Sequence, residues 1–268
     1  MPFTVSFLSD LGARDAAVCR AVLYELSPDA RVLDIDHELA PHNVGAANFA
    51  LMQVVQYLPT GAVIAAVDPR AGHPEQRYIG VQSGSLTLLA PDNGVIAGAV
   101  GLLGGTAEAV SLENPAHRLS GFGPTFAARD ILAPAAAALA NGVPLSDLGP
   151  AVDPAALMPA LLVLPSETDG ALEGQVWHVD RYGNCVLNID PGMLSNAGVR
   201  VGETLEVVMS SGARRGIFGR TFSELEPSEL GVGIDATGLL TLWMANDAVA
   251  TRLNLKSNDS VTIRWEQK

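Results

Sequence analysis

The sequence predicts an α/β protein in two parts: an N-terminal domain built on a mostly parallel sheet with flanking helices, and a smaller C-terminal all-β, barrel-like domain. Three observations predict this. Apolar strand-like runs alternate with helical periodicity through the first half of the chain, as parallel sheets require. Turn formers then accumulate in Gly149-Pro150, Asp153-Pro154 and Pro165-Ser166-Glu167-Thr168-Asp169-Gly170, which marks a domain boundary. Beyond residue 170 the runs are short and β-like, the texture of a small barrel or sandwich. The domains are therefore drawn at 1–160 and 170–268, which suits a chain of 268 residues at roughly 150 residues per domain.

Phe3 to Leu8 is β-rich. Ser9-Asp10-Leu11-Gly12-Ala13-Arg14-Asp15 follows as a turn carrying two carboxylates, ahead of a periodic helix from Ala16 to Leu26. Arg31 to Ile35 reads as a strand, Ala46 to Tyr57 as a helix, and Ala62 to Val67 as an apolar strand ending at Asp68-Pro69. Tyr78 to Val81 and Leu86 to Leu89 form a hairpin around Ser83-Gly84-Ser85. Pro91-Asp92-Asn93-Gly94 then opens an Ala/Gly-rich helix. A further helix spans Ala133 to Ala140, with Pro134 in its first turn, where a missing N–H costs nothing. In the second domain Gly174 to Asp180, Leu205 to Val208, Leu239 to Trp243 and Ser260 to Trp265 read as strands.

Hydrophobic residues form 48% of the chain and charged residues 17%, enough apolar surface for a packed core. The net charge is −13, from 16 Lys plus Arg against 29 Asp plus Glu, and no basic run offsets it. Nucleic-acid and anionic-membrane partners are therefore disfavoured. The field suits a cationic ligand, and it serves equally to keep the protein dissolved. No run approaches the roughly 18 uninterrupted apolar residues of a membrane span, and the start lacks a basic region before an apolar stretch, so a cytoplasmic protein is expected.

Cys19 and Cys185 are too few and too far apart for a disulfide framework, and each reads as a buried thiol. The five histidines, His37, His42, His73, His117 and His178, lack metal-ligand spacing, so no metal is expected. Gly101-Leu102-Leu103-Gly104-Gly105 has neither phosphate-loop nor dinucleotide spacing and reads as a helix end. No Gly-x-Ser-x-Gly elbow holds a nucleophile. What remains is a set of carboxylates just after strands, Asp10, Asp15 and Asp68. Helix capping accounts for any one of them, whereas a crevice at the carboxyl ends of parallel strands accounts for all three.

In their joint order these segments resemble the S-adenosylmethionine hydroxide adenosyltransferase family, relatives of the fluorinase and chlorinase. The matching residues are Ser9-Asp10-Leu11-Gly12 with Asp15, Asp34-Ile35-Asp36-His37 with Pro41, Val67-Asp68-Pro69, Pro91-Asp92-Asn93-Gly94, Arg129-Asp130-Ile131-Leu132-Ala133-Pro134, and Val179-Asp180-Arg181-Tyr182-Gly183-Asn184 with Asn188-Ile189. The resemblance covers nearly the whole chain. It implies a homotrimer that binds S-adenosylmethionine between the first domain of one subunit and the second domain of its neighbour, without metal or redox cofactor.

Carried over residue by residue, the resemblance implies that Asp10 holds the ribose hydroxyls, since a carboxylate accepts from two vicinal OH groups at once. Asp15 is a polar contact near the methionine end. Asp180 meets the methionine ammonium, Tyr182 packs near the nucleoside and Asn184 reads the adenine edge. The bland account of Asp180 to Asn184 is a hairpin turn, and both readings are compatible. For the chemistry, Asp68 and Arg77 match an Asp and an Arg that position water for attack at the ribose carbon next to the sulfonium.

Two positions depart from the family pattern. Its Phe-His-Gly-Arg-Asp reads Phe126-Ala127-Ala128-Arg129-Asp130 here, and Arg70 replaces the glycine of its Asp-Pro-Gly. His42 and His73 are the histidines near enough in the pattern to supply the lost imidazole. The implied activity is hydrolysis of S-adenosylmethionine to adenosine and methionine. The alternatives are a protein that binds S-adenosylmethionine or adenosine with weak or lost activity, and halide-dependent adenosyl transfer. The last is set back because Ala71 and Ala128 lack the hydroxyls that the fluorinase resemblance asks for.

Overall fold

The apolar run at residues 61–66 is buried along its whole length, because successive strand residues face opposite layers and both layers are covered. Ala62, Ile64 and Ala66 belong to one core cluster, and Val63 and Ala65 to the other. The structure, a computed structural model, describes residues 2–121, 123–160, 163–168 and 170–266. These fall into two compact units, 1–161 and 162–268.

The first unit contains β1 (Thr4–Ser9), α1 (Gly12–Leu26), β2 (Arg31–Asp36), α2 (Val44–Val54), β3 (Gly61–Ala66), β4 (Tyr78–Ser83), β5 (Leu86–Pro91), α3 (Ala97–Leu102), β6 (Glu108–Ser111) and α4 (Ala133–Ala140). Its sheet has the order β2-β1-β3-β5-β4-β6. The pairs β1–β2, β1–β3 and β3–β5 are parallel, and β4 runs antiparallel to both β5 and β6. Because β2 and β3 flank β1, the strand order reverses at β1. That is where open α/β sheets form a crevice beyond the strand ends.

α1 packs on α4 on one face of the sheet, and α2 on α3. α1 begins at Gly12, four residues before the start that periodicity suggests, because Gly12 adopts φ +70° and its N–H donates to the His37 carbonyl at 2.8 Å. α2 starts at Val44, where the Asn43 side chain accepts from the Ala46 N–H. The glycine-rich segment after α3 is a helix end, with Gly104 and Gly105 at positive φ and the Gly105 N–H returning to Val100 O. α4 has Pro134 in its first turn and is entered through a π-helical turn, Ala128–Leu132.

The second unit contains β7 (Ser166–Thr168), β8 (Ala171–Val179), β9 (Cys185–Leu187), α5 (Pro191–Asn196), β10 (Thr204–Met209), β11 (Gly212–Phe218), β12 (Leu230–Ile234), β13 (Leu240–Met244), α6 (Val249–Leu253) and β14 (Ser260–Arg264). The order β14-β10-β11-β12-β13-β9-β8 closes through β8–β14 into a seven-stranded barrel, and β7 adds to β8 outside that ring. Closure removes the exposed edges that an open sheet of short strands would present. Gly233 of β12 admits the Trp243 ring, since a Cβ there would stand 1.9 Å from it. Among the described residues no helix is long and apolar enough to cross a membrane.

Candidate active site

The carboxyl ends of β1, β3 and β5 open on a crevice of about 280 Å³. Asp10 follows β1, Asp68 follows β3 by two residues, Pro91 ends β5, and Asp15 enters from the first turn of α1. The three carboxylates read from the sequence therefore line one cavity. Leu11, Pro41, His42, Ala71, Tyr78, Thr125, Phe126, Ala127 and Ala128 are among the other lining residues. No Lys or Arg is among the described residues that line it. Its field is thus negative and its walls largely apolar, so a cation is attracted and loosely held water is excluded.

Asp68 is fixed from two sides. Its Oδ2 accepts the Tyr78 hydroxyl at 2.7 Å and its Oδ1 accepts the Arg70 backbone N–H at 3.0 Å. Burial, and then the hydrogen bond to Asp68, raise the Tyr78 pKa above its ordinary value, so this phenol stays a donor at neutral pH. Tyr78 has no catalytic motif to betray it in the sequence. The signal that finds it is its place at the start of β4, paired with Pro91 at the end of β5.

Arg77 is not among the residues lining the crevice. Alternate residues of a strand face opposite sides, and Tyr78 takes the crevice side. Arg77 instead binds Asp92, with Nε 2.9 Å from Oδ2 and Nη2 on the same oxygen, and Nη2 also donates to the Ala156 carbonyl at 3.0 Å. The Asp92 side chain is only 4% exposed, and a buried carboxylate requires such a partner. Arg70 likewise turns outward, its Nη2 lying 3.0 Å from His73 Nδ1 and 3.6 Å from Glu75 Oε2. His73 borders a neighbouring cavity rather than the crevice, so of the two histidines only His42 faces Asp68's cavity.

Asp10 Oδ2 accepts the His42 N–H at 2.7 Å, with His42 itself at φ +64°. That contact fixes the carboxylate and leaves Oδ1 for a ligand. Asp15 Oδ1 accepts Arg14 Nε at 3.0 Å, in a pair whose Arg14 side chain is exposed. Behind Asp10, Ser9 Oγ lies 2.8 Å from His37 Nδ1, and His37 Nε2 lies 2.9 Å from Asp34 Oδ1. Burial acts to raise the Asp34 pKa, but hydrogen bonds from His37 and Arg20 outweigh it and hold the carboxyl below its ordinary range. The π-helical turn delivers Ala128 and Leu132 to the wall. It is braced by Arg129, which is bidentate to Asp130 at 2.6 and 2.8 Å and lies 4.9 Å over the Phe126 ring. Such wide turns recur at functional sites.

In the second unit Asp180, Tyr182 and Asn184 lie on the turn between β8 and β9. Asp180 Oδ1 accepts the backbone N–H groups of Tyr182 and Asn184, each at 2.8 Å, and Oδ2 accepts Asn184 Nδ2 at 2.8 Å. The hairpin role is therefore real. It leaves one acceptor position on Oδ2 and Tyr182 76% exposed. Cys19 and Cys185 are free and buried, and burial pushes both thiols up to about 12, which makes them unreactive packing groups. Among the described residues no three His, Cys, Asp or Glu side chains cluster as a metal site.

Residues 5–149 match the SAM hydroxide adenosyltransferase N-terminal domain, and residues 174–262 match the corresponding C-terminal domain. The chain is 37% identical to the (R)-S-adenosyl-L-methionine hydrolase of Salinispora arenicola, over 97% of each protein. It is 36% identical to the protein of that name from Thermus thermophilus, over 97% of this chain and 98% of the relative. A crystal structure of an uncharacterized conserved protein from Thermotoga maritima superposes with a TM-score of 0.88 at 26% identity, covering 97% of this chain and all of the other. With both halves matched in order, the chain belongs to the SAM hydroxide adenosyltransferase family.

Proposed function

We propose that this protein hydrolyses S-adenosylmethionine to adenosine and L-methionine by attack of water at the ribose 5′ carbon. One observation carries the reading: three carboxylates line a largely apolar crevice at the strand ends, with no Lys or Arg among its described lining residues, in a chain whose relatives are named for this activity. A sulfonium ligand matches that field. Asp10 takes the ribose hydroxyls through its unused Oδ1, and Asp15 lies toward the methionine end. Asp68 accepts a hydrogen of the attacking water while Tyr78 and the Arg70 N–H hold its carboxylate in place.

The new C–O bond forms as the C–S bond breaks. Its electron pair leaves on sulfur as a neutral thioether, and the proton passes from water through Asp68 to solvent. Because the leaving group departs uncharged, the step needs chiefly an oriented and partly dehydrated nucleophile, and no metal or redox cofactor enters it. Arg77 acts in this reading as a positioning residue, tying the start of β4 to Asp92 next to Pro91.

A homotrimer, in which Asp180, Tyr182 and Asn184 come from a neighbouring copy, completes the proposal. Light scattering is expected to give three times the chain mass of 27.9 kDa, and a monomer that still turns over overturns the assembly.

The defining experiment incubates the protein with S-adenosylmethionine in ¹⁸O water without halide and follows products by chromatography and mass spectrometry. Equimolar methionine and adenosine, labelled at the 5′ oxygen, are expected. Binding without product overturns hydrolysis in favour of a sequestering protein, the reading that Ala127 in place of the family histidine favours. A 5′-halogenated nucleoside formed only when chloride is added overturns it in favour of halide transfer.

A further inference from the structure

We infer that Ser9, His37 and Asp34 form a positioning chain that sets the ribose-reading carboxylate of Asp10. The inference rests on the reading that Asp10 binds the ribose hydroxyls. Asp34 can only accept, so its 2.9 Å contact requires the hydrogen on His37 Nε2. In the neutral ring Nδ1 is then an acceptor and takes the Ser9 hydroxyl at 2.8 Å. The Ser9 oxygen keeps a lone pair for the Leu11 N–H at 3.4 Å. Arg20 of α1 fixes the far end, with Nη1 2.8 Å from Asp34 Oδ2, and the Phe7 ring packs against the imidazole with centroids 4.7 Å apart.

The connectivity is that of a nucleophilic Ser-His-Asp triad, yet Ser9 is fully buried. No substrate reaches its hydroxyl, so the output of the chain is geometric. The turn it holds is the one that carries Asp10. Ser9 and Leu11 flank that residue, Ser9 Oγ being held by His37 and itself accepting the Leu11 N–H, while the Gly12 N–H is tied to the His37 carbonyl at 2.8 Å. Pairing between β1 and β2 skips Ile35, since Phe7 sits opposite Asp34 and Leu8 opposite Asp36. This irregularity brings the end of β2 alongside the Ser9–Gly12 turn. Reading two vicinal hydroxyls with one carboxylate demands a fixed orientation, which a supporting layer of hydrogen bonds supplies.

The test is calorimetric, with adenosine and 2′-deoxyadenosine as probes, because a positioning role predicts a loss confined to the ribose. Asp10→Ala is expected to weaken adenosine binding about 10- to 150-fold and to abolish the preference for adenosine over 2′-deoxyadenosine. Ser9→Ala is expected to weaken adenosine about five- to tenfold, to leave 2′-deoxyadenosine nearly unchanged, and to add nothing in the Asp10→Ala background. His37→Asn keeps an acceptor near the Nδ1 position and is expected to retain more of the preference than His37→Ala. If Ser9→Ala does not fold, the two His37 variants carry the comparison.

Equal losses for both nucleosides, or additive losses in the double variant, overturn the chain while leaving the role of Asp10 intact. If instead Asp10→Ala keeps the full preference for adenosine, the ribose assignment itself fails and the inference falls with it.

Discussion

Asp68→Asn is expected to lower kcat for S-adenosylmethionine hydrolysis by about 10²–10⁴-fold while leaving affinity for a neutral nucleoside within a few fold. The amide is nearly the same size, so the wall it forms keeps its shape. Its oxygen still accepts the Arg70 N–H, and the Tyr78 hydroxyl can rotate to accept from the new NH₂. What is lost is an anionic acceptor aimed at water. With slow chemistry KM approximates the dissociation constant, so the predicted signature is a fall in kcat far larger than the rise in KM that the lost charge causes. Steady-state kinetics together with calorimetry on a non-reacting nucleoside check it. A variant that retains the parent rate removes Asp68 from the reaction, and a variant that loses affinity in step with rate makes it a binding residue.

Tyr78→Phe is the natural companion to that variant, and its logic shows which parts of the site can be read from sequence. Asp10 and Asp68 are legible because a carboxylate immediately after a strand of a parallel sheet has little choice about which edge it occupies. The strands are legible in turn because burial on both faces demands continuous apolar runs such as Ala62 to Val67. Tyr78 is not legible, since its contact with Asp68 depends on the antiparallel register that sets it opposite Pro91.

The same parity explains Arg77. One residue from Tyr78, it takes the other side and meets Asp92, a fact fixed by register rather than by residue type. His37 carries no legible role either, because its partners Ser9 and Asp34 are joined only when β1 and β2 pair. The π-helical turn at Ala128–Leu132 has no signature in composition, so a sequence reading begins that helix at Ala133. In the barrel the short strands announce themselves, but closure through β8 and β14 is a property of the whole sheet.

Ala127→His is expected to raise the hydrolysis rate by up to about 10²–10⁴-fold, the usual contribution of a positioned acid/base group. Ala127 is 6% exposed and lines the same crevice as Asp68, so an imidazole there can enter the space that Asp68 faces. Burying the larger ring costs on the order of 1–3 kcal/mol of stability, which a melting curve measures separately from rate. Arg70 offers no obstruction, because its guanidinium is held by His73 and Glu75 outside the crevice; Arg70→Gly is accordingly expected to leave the gain intact. The competing possibility is specific. His42 already lines the crevice, its backbone N–H bound to Asp10, and a rate unchanged by Ala127→His but lowered by His42→Ala assigns the acid/base role to residue 42. A gain on Ala127→His with no loss on His42→Ala shows that the missing imidazole limits the parent's rate, since His42 would then contribute contact with the ligand and no proton transfer.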